Sequence, residues 1–128
     1  MYKLLIIDDD TDLTEMLRLL LEPKSFTVMA ANSGEEGIVS AKKWNPDLII
    51  LDLFMPEMDG WQVCKSIRAF SKAPILVLSA MNKPGLITRA LNEGADDYLI
   101  KPVSSNVLLA HLNNLTRRIP LKQSAVDS

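Results

Sequence analysis

The chain has 128 residues, of which 48 % are hydrophobic and 23 % are charged, and its formal net charge is -2. This length and composition are typical of one globular domain, and the weakly acidic balance argues against a nucleic-acid or anionic-membrane surface. The apolar runs are strand-sized and far shorter than the roughly 20 residues of a membrane helix. A single cysteine excludes a disulfide framework and, with no secretory signal in view, we expect a cytoplasmic protein.

Stretches with the pattern of strands alternate along the chain with stretches that have the periodicity of helices. Strands are expected at residues 3–8, 26–30, 47–52, 74–79 and 98–100. Helices are expected at residues 11–21, from the capping box of Ser33 and Glu36 to about residue 43, from 60 to about 70, at 84–93 and at 104–118. Either Asp10 or Thr11 can cap the first helix.

The predicted strands are continuously apolar rather than alternating, which is typical of parallel strands buried on both faces. The pattern therefore predicts an α/β fold, a doubly wound parallel sheet built from five β/α repeats, with the second strand at a sheet edge. We expect residues 1–119 to form one domain. Residues 120–128 start with Pro120 and lack periodicity, so they are interpreted as a linker or a disordered tail.

Four of the five predicted strands end in polar or charged residues, and the carboxyl ends of parallel strands meet at one edge of a sheet. These residues are Asp8, Asp9 and Asp10 after the first strand, Asp52 after the third, Ser79 at the end of the fourth and Lys101 after the fifth. The second strand would lie at the sheet edge and need contribute nothing. Clustered carboxylates suit a hard cation such as Mg²⁺, while an ammonium group and a hydroxyl suit phosphoryl oxygens. A carboxylate in such surroundings can attack phosphorus.

Each of these residues also has a plainer interpretation when it is taken alone. The aspartates at 8–10 can be a helix N-terminus, and Asp52 can be an ordinary strand-end residue. Ser79 can serve as a small residue in packing, and Lys101 can lie on the surface. It is the coincidence of all four positions at one edge that favours a phosphoryl-accepting site.

Four segments of the chain resemble the receiver domains of response regulators, the CheY-like superfamily of two-component signal transduction. They are LLIIDDD at 4–10, PDLIILDLFMPEMDG at 46–60, PILVLSA at 74–80 and GADDYLIKP at 94–102. The resemblance covers residues 3 to about 118, and GADDYL is similar to the OmpR/PhoB type. It implies a flavodoxin-like (βα)5 fold with the strand order 2-1-3-4-5.

The resemblance also implies roles for site residues. Asp52 would be the phosphoacceptor, and it would take the phosphoryl group from a histidine kinase, a phosphotransfer protein or a small phosphodonor. Asp9 would bind Mg²⁺ or Mn²⁺ directly and Asp8 largely through water, while Asp52 and the backbone carbonyl of Phe54 complete the metal ligands. Such a domain is a signalling phosphoprotein rather than an enzyme.

The remaining implied roles concern the switch. Lys101 would pair with the phosphoryl group next to a cis peptide bond at Pro102. The Ser79 hydroxyl would move toward that group while Tyr98 turns inward. This movement would reshape the face formed by the fourth helix, the fifth strand and the fifth helix.

Phe54 and Met81 stand at positions that flank the phosphoryl group in the family. Both are bulky and apolar, and neither can orient an attacking water, so we expect a long-lived phosphoryl group. The alternative is that both are ordinary residues of surface loops.

The switching face departs from the OmpR/PhoB pattern of charged pairs. The corresponding pairs here are Ile87 with Val107, Asn92 with Asn113, and Asp97 with His111. Either a homodimer forms there on apolar contacts, or the face binds another partner. Ile87 and Val107 would be exposed in the first case, whereas both can instead be buried in the core.

Two other functions fit part of the pattern. An aspartate-nucleophile phosphohydrolase typically carries a second aspartate two residues after the first, where this chain has Phe54. A binding module that is never phosphorylated would lack part of the acidic cluster, Asp52 or Lys101, and none of them is missing.

Overall fold

The structure is a computed structural model that describes residues 1–119. Five parallel strands form one sheet in the order β2-β1-β3-β4-β5, which confirms the predicted topology. The strands are β1 (Tyr2–Ile7), β2 (Phe26–Ala31), β3 (Leu48–Leu51), β4 (Ile75–Ser79) and β5 (Asp97–Ile100). The helices are α1 (Thr11–Leu21), α2 (Gly34–Trp44), α3 (Gly60–Arg68), α4 (Pro84–Asn92) and α5 (Ser105–Thr116), and a 3-10 turn spans Glu22–Lys24. The predicted tail at 120–128 lies outside the described residues.

Helices cover both faces of the sheet, as the continuously apolar strands predicted. Successive residues of β1 point to opposite faces. Ile6 packs in one core cluster with Leu17 of α1 and Leu108 of α5. Ile7 packs in the other with Ile67 of α3, next to α2 and α4. Burial of each such side chain stabilises the fold by roughly 1.5–3 kcal/mol, so the sheet is held from both sides.

Side-chain caps determine where α1 and α2 begin. The Asp10 carboxylate accepts a hydrogen bond from the N–H of Leu13 at 3.1 Å, so Asp10 rather than Thr11 caps α1. The Ser33 hydroxyl accepts from the N–H of Glu36 at 3.1 Å, as the capping box predicted. Each cap is worth about 1 kcal/mol.

Some predicted element ends were wrong by one or two residues. Helix α3 ends at Arg68 rather than near residue 70, because the N–H of Phe70 turns back to the carbonyl of Ile67 in a tighter turn. Helix α5 ends at Thr116, because the N–H of Arg118 likewise bonds three residues back. Strand β3 is one residue shorter at each end than predicted. Across residues 1–119, every helix is too short or too polar to cross a bilayer.

Candidate functional site

Backbone hydrogen bonds just beyond the strand ends align the polar residues at one edge of the sheet. The N–H of Asp52 donates to the carbonyl of Ile7 at 2.9 Å, and the N–H of Lys101 donates to the carbonyl of Ser79 at 2.8 Å. These bonds continue the ladders between β1 and β3 and between β4 and β5. The side chains that follow the strands, including Asp8 after β1, therefore meet at this edge.

Three carboxylates form a cluster there. Oxygens of Asp8, Asp9 and Asp52 lie within 4.8 Å of one another. Asp8 and Asp52 are buried and Asp9 is exposed, so the cluster opens to solvent on one side. Asp10 belongs to the helix instead: its N–H donates to Asp8 Oδ1 at 3.0 Å, but its carboxylate caps α1. The plainer interpretation as a helix N-terminus therefore holds for Asp10.

Lys101 brings a positive charge into the cluster. Its Nζ donates to Asp8 Oδ2 at 2.8 Å and lies 3.9 Å from Asp52 Oδ1. The peptide bond between Lys101 and Pro102 is cis. One ammonium group among three carboxylates leaves the cluster with excess negative charge, which an added cation would compensate.

The pKa of Asp52 depends on its burial and on its charged neighbours. Burial, and after it the charge of Asp8, raise the pKa of the Asp52 carboxyl from 3.8 to about 6, against the opposing effect of Lys101. At neutral pH most of this carboxyl is ionised. The ionised form is the one that can act as a nucleophile, so the raised pKa still leaves Asp52 capable of nucleophilic attack at neutral pH.

Ser79 and Tyr98 are linked through the loop between β4 and α4. The Ser79 side chain is fully buried, and its Oγ accepts from the N–H of Met81 at 3.3 Å. The Tyr98 hydroxyl donates to the carbonyl of Met81 at 2.7 Å. Burial raises the pKa of the Tyr98 phenol, so it remains a donor at neutral pH. A displacement of Met81 would therefore affect both hydroxyl groups.

The loop after Asp52 is held against the end of β3. The N–H of Gly60 donates to the carbonyl of Leu53 at 2.9 Å. A Cβ atom on Gly60 would lie 2.4 Å from the Asp52 carbonyl oxygen, so this close approach requires glycine. Phe54 in this loop is 61 % exposed. Met81, two residues after Ser79, packs against the core cluster around Ile67.

One contact at this edge was not predicted. Strand β2 lies at the sheet edge, as predicted, and although it need contribute nothing there, the residue that follows it contacts the site. Asn32 follows β2, and its Nδ2 donates to the carbonyl of Asp8 at 2.8 Å. The sequence feature that could have indicated this contact is an asparagine directly after a strand that ends at this edge.

The face formed by α4, β5 and α5, called the switch face below, carries exposed apolar side chains. Val107 is 43 % exposed and Leu91 44 %, while Ile87 is partly buried. The alternative prediction, that both Ile87 and Val107 are buried in the core, is therefore wrong. His111 Nδ1 lies 2.6 Å from Asp97 Oδ2, so this pair forms within one chain.

A family model described as the response regulator receiver domain matches residues 4–113. The chain belongs to this family. The receiver domain is 40 % identical over 118 residues to the transcriptional regulatory protein AfsQ1 of Streptomyces coelicolor, and the alignment covers 92 % of this chain and 52 % of AfsQ1. It is 35 % identical over 116 residues to the DNA-binding response regulator MtrA of Mycolicibacterium paratuberculosis, covering 91 % and 52 %. The chain thus spans about half the length of these curated relatives.

The fold of the receiver domain is also similar to solved structures. A crystal structure of a two-component response regulator from Clostridium difficile superposes with a TM-score of 0.89 at 38 % sequence identity. The match covers 92 % of this chain and 98 % of that chain. The similarity to AfsQ1 and MtrA is consistent with the resemblance of GADDYL to the OmpR/PhoB type.

Proposed function

We propose that residues 1–119 form a receiver unit that accepts a phosphoryl group on Asp52 from a histidine kinase, a phosphotransfer protein or a small phosphodonor. The observation that carries this proposal is the arrangement around Asp52. A buried carboxylate lies in a cluster with Asp8 and Asp9, and the Lys101 ammonium group is 3.9 Å away. This arrangement combines a nucleophile with the groups that stabilise a transferred phosphoryl group.

The acidic cluster fits a divalent cation. Its donors are all carboxylate oxygens, which Mg²⁺ and Mn²⁺ prefer, and the three carboxylates have only the Lys101 ammonium group to compensate them among residues 1–119. Asp8, Asp9 and Asp52, with the Phe54 backbone carbonyl, would hold the ion. The bound cation supplies positive charge that lets an anionic phosphodonor approach an anionic carboxylate.

The transfer itself is a displacement at phosphorus. An Asp52 carboxylate oxygen forms the new P–O bond, while the P–N bond of phosphohistidine or the P–O bond of acetyl phosphate breaks. The departing imidazole takes a proton from solvent, whereas acetate leaves as an anion. Lys101 and the Ser79 hydroxyl would then bind phosphoryl oxygens of the acyl phosphate.

The switch would run through the loop that holds Met81. If the Ser79 hydroxyl turns toward the phosphoryl group, it releases the N–H of Met81 that it now accepts from. The Tyr98 hydroxyl bonds the carbonyl of that same residue, so the change reaches β5 and the switch face. Phosphorylation would thereby shift a two-state equilibrium.

We propose a second copy of the chain as the occupant of the switch face. The charged pairs of the OmpR/PhoB type are absent, but Leu91 and Val107 are exposed and can form an apolar contact. The names of two relatives describe DNA-binding or transcriptional regulators of about twice this length. Residues 1–119 themselves are proposed to signal to an output domain or partner and not to contact nucleic acid.

A test with acetyl phosphate and Mg²⁺, followed by intact-mass measurement, separates this function from its rivals. A receiver gains one phosphoryl mass, and Asp52→Asn abolishes the gain. Asp12→Asn is the matched control, because Asp12 is an exposed residue of α1 outside the cluster. Multiple-turnover phosphate release would indicate a phosphohydrolase, and no mass gain would indicate a module that is never phosphorylated.

A further inference from the structure

The side-chain amide of Asn32 joins the loop after β2 to the loop after β1. Its Nδ2 donates to the carbonyl of Asp8 at 2.8 Å and to Thr14 Oγ1 at 3.3 Å. The Thr14 hydroxyl donates its own proton to the carbonyl of Thr11 at 3.0 Å, so its oxygen can accept the bond from Asn32. A backbone carbonyl can only accept, so the amide nitrogen of Asn32 must face Asp8.

Asn32 is itself held at its backbone. Its N–H donates to Glu36 Oε1 at 2.5 Å. In a complete capping box, the Glu36 carboxylate would instead accept from the backbone N–H of Ser33. Thr14, on the other side of the amide, is buried in the start of α1. Asn32 is therefore hydrogen-bonded both at its backbone and at its side-chain amide, and it connects the two loops.

The bonded carbonyl belongs to the peptide group that joins Asp8 to Asp9. A hydrogen bond to its oxygen restrains the plane of that peptide group, and this plane is one of the two backbone features, with the φ angle of Asp9, on which the direction of the Asp9 side chain depends. The Asp8 carboxylate has its own partners, the N–H of Asp10 and the Lys101 ammonium group. The Asp9 carboxylate accepts no hydrogen bond from any residue in 1–119, so its direction depends on the backbone.

We propose that Asn32 is a positioning residue that directs Asp9 toward the divalent cation. The inference rests on the proposed function, because it concerns the same acidic cluster. Asn32 itself would contact neither the cation nor the phosphoryl group. It acts through the peptide group between Asp8 and Asp9, in the way that outer residues orient metal ligands elsewhere.

The test measures Mn²⁺ binding to the unphosphorylated chain by electron paramagnetic resonance. Asn32→Leu keeps the approximate size, removes both donors and adds no charge. We expect it to raise the dissociation constant for Mn²⁺ on the order of tenfold. Ser33→Ala is the matched control, because it removes a helix cap from the same loop without touching Asp8, and its affinity should equal that of the wild type. Equal affinity of Asn32→Leu and the wild type would overturn the inference.

A second variant keeps the test decisive if Asn32→Leu fails to fold, which far-ultraviolet circular dichroism would show. Thr14→Val preserves the side-chain shape and removes the oxygen that accepts from Asn32. It should weaken Mn²⁺ binding measurably relative to the wild type, a comparison that does not need Asn32→Leu. Where Asn32→Leu does fold, Thr14→Val should weaken binding less than Asn32→Leu does, and the double variant should be no weaker than Asn32→Leu. Unchanged affinity in Thr14→Val, or additive losses in the double variant, would contradict a role through Asn32.

Failure of this inference and failure of the proposed function give different results. If only the role of Asn32 is wrong, wild type and Asn32→Leu bind Mn²⁺ equally well and both gain the phosphoryl mass. If the proposed function is wrong, the wild type gains no phosphoryl mass. A wild type that binds no Mn²⁺ overturns both.

Discussion

Lys101 donates to Asp8 at 2.8 Å but lies 3.9 Å from Asp52, the residue whose phosphoryl group it would bind. In the unphosphorylated domain the ammonium group therefore compensates a proposed metal ligand. A divalent cation bound at the cluster would compete with Lys101 for the charge of Asp8, and phosphorylation of Asp52 would give the lysine a new partner.

Replacement of Lys101 should change stability and metal affinity in opposite directions. Lys101→Met leaves the buried Asp8 carboxylate without the ammonium group that now donates to it. The metal-free domain should therefore lose on the order of 1–3 kcal/mol in its free energy of unfolding. Affinity for Mg²⁺ should rise, because the competing charge is gone. Denaturation in a chelator and calorimetric titration with Mg²⁺ measure the two effects.

Lys65→Met is the control for that pair of measurements, since Lys65 is exposed on α3 and lies outside the site. It should change neither quantity. A loss of Mg²⁺ affinity in Lys101→Met would show that the lysine and the cation do not compete.

The stability of the metal-free domain should depend on pH through Asp52. Folding raises the pKa of this carboxyl from 3.8 to about 6, so folding disfavours its ionised form, and stability falls as pH rises through this interval. An asparagine at this position does not ionise, so folding carries no such penalty. Asp52→Asn should therefore stabilise the metal-free domain at neutral pH by on the order of 1–3 kcal/mol, with no gain below pH 3.8. Thermal unfolding in a chelator across this range measures the difference, and a gain that is independent of pH would contradict it.

The lifetime of the phosphoryl group should depend on Phe54 and Met81. Both side chains are apolar, and the family resemblance implies that they flank the phosphoryl group, where neither would orient the water that hydrolysis requires. The double variant Phe54→Asn/Met81→Glu should speed decay of the acyl phosphate roughly tenfold or more. Decay is followed by loss of the phosphoryl mass after the donor is removed. A variant that decays no faster than the wild type would refute this explanation.

Phosphorylation should promote a dimer through the apolar part of the switch face. Val107→Glu places a charge at the proposed contact and should lower the dimer fraction seen by sedimentation of the phosphorylated domain. Val39→Glu is the control, because Val39 of α2 is similarly exposed at 46 % but lies away from that face. Equal dimer fractions in the two variants would exclude this surface.

The sheet and most of the acidic site could be predicted from the sequence because both depend on local pattern. Continuous apolar runs indicate buried parallel strands, and Asp52 and Lys101 directly follow such runs. The Asn32 contact could not be predicted in this way, because it joins residues 24 positions apart through a side-chain amide. The preference of Lys101 for Asp8 over Asp52 likewise depends on side-chain distances that periodicity does not contain.

The central claim is that Asp52 itself carries the phosphoryl group. Borohydride reduces an aspartyl phosphate to homoserine, which marks the modified position for peptide mapping by mass spectrometry. After incubation with acetyl phosphate and Mg²⁺, we predict homoserine at position 52 alone. Homoserine at position 8 or 9, or none in a domain that has gained phosphoryl mass, would contradict the claim.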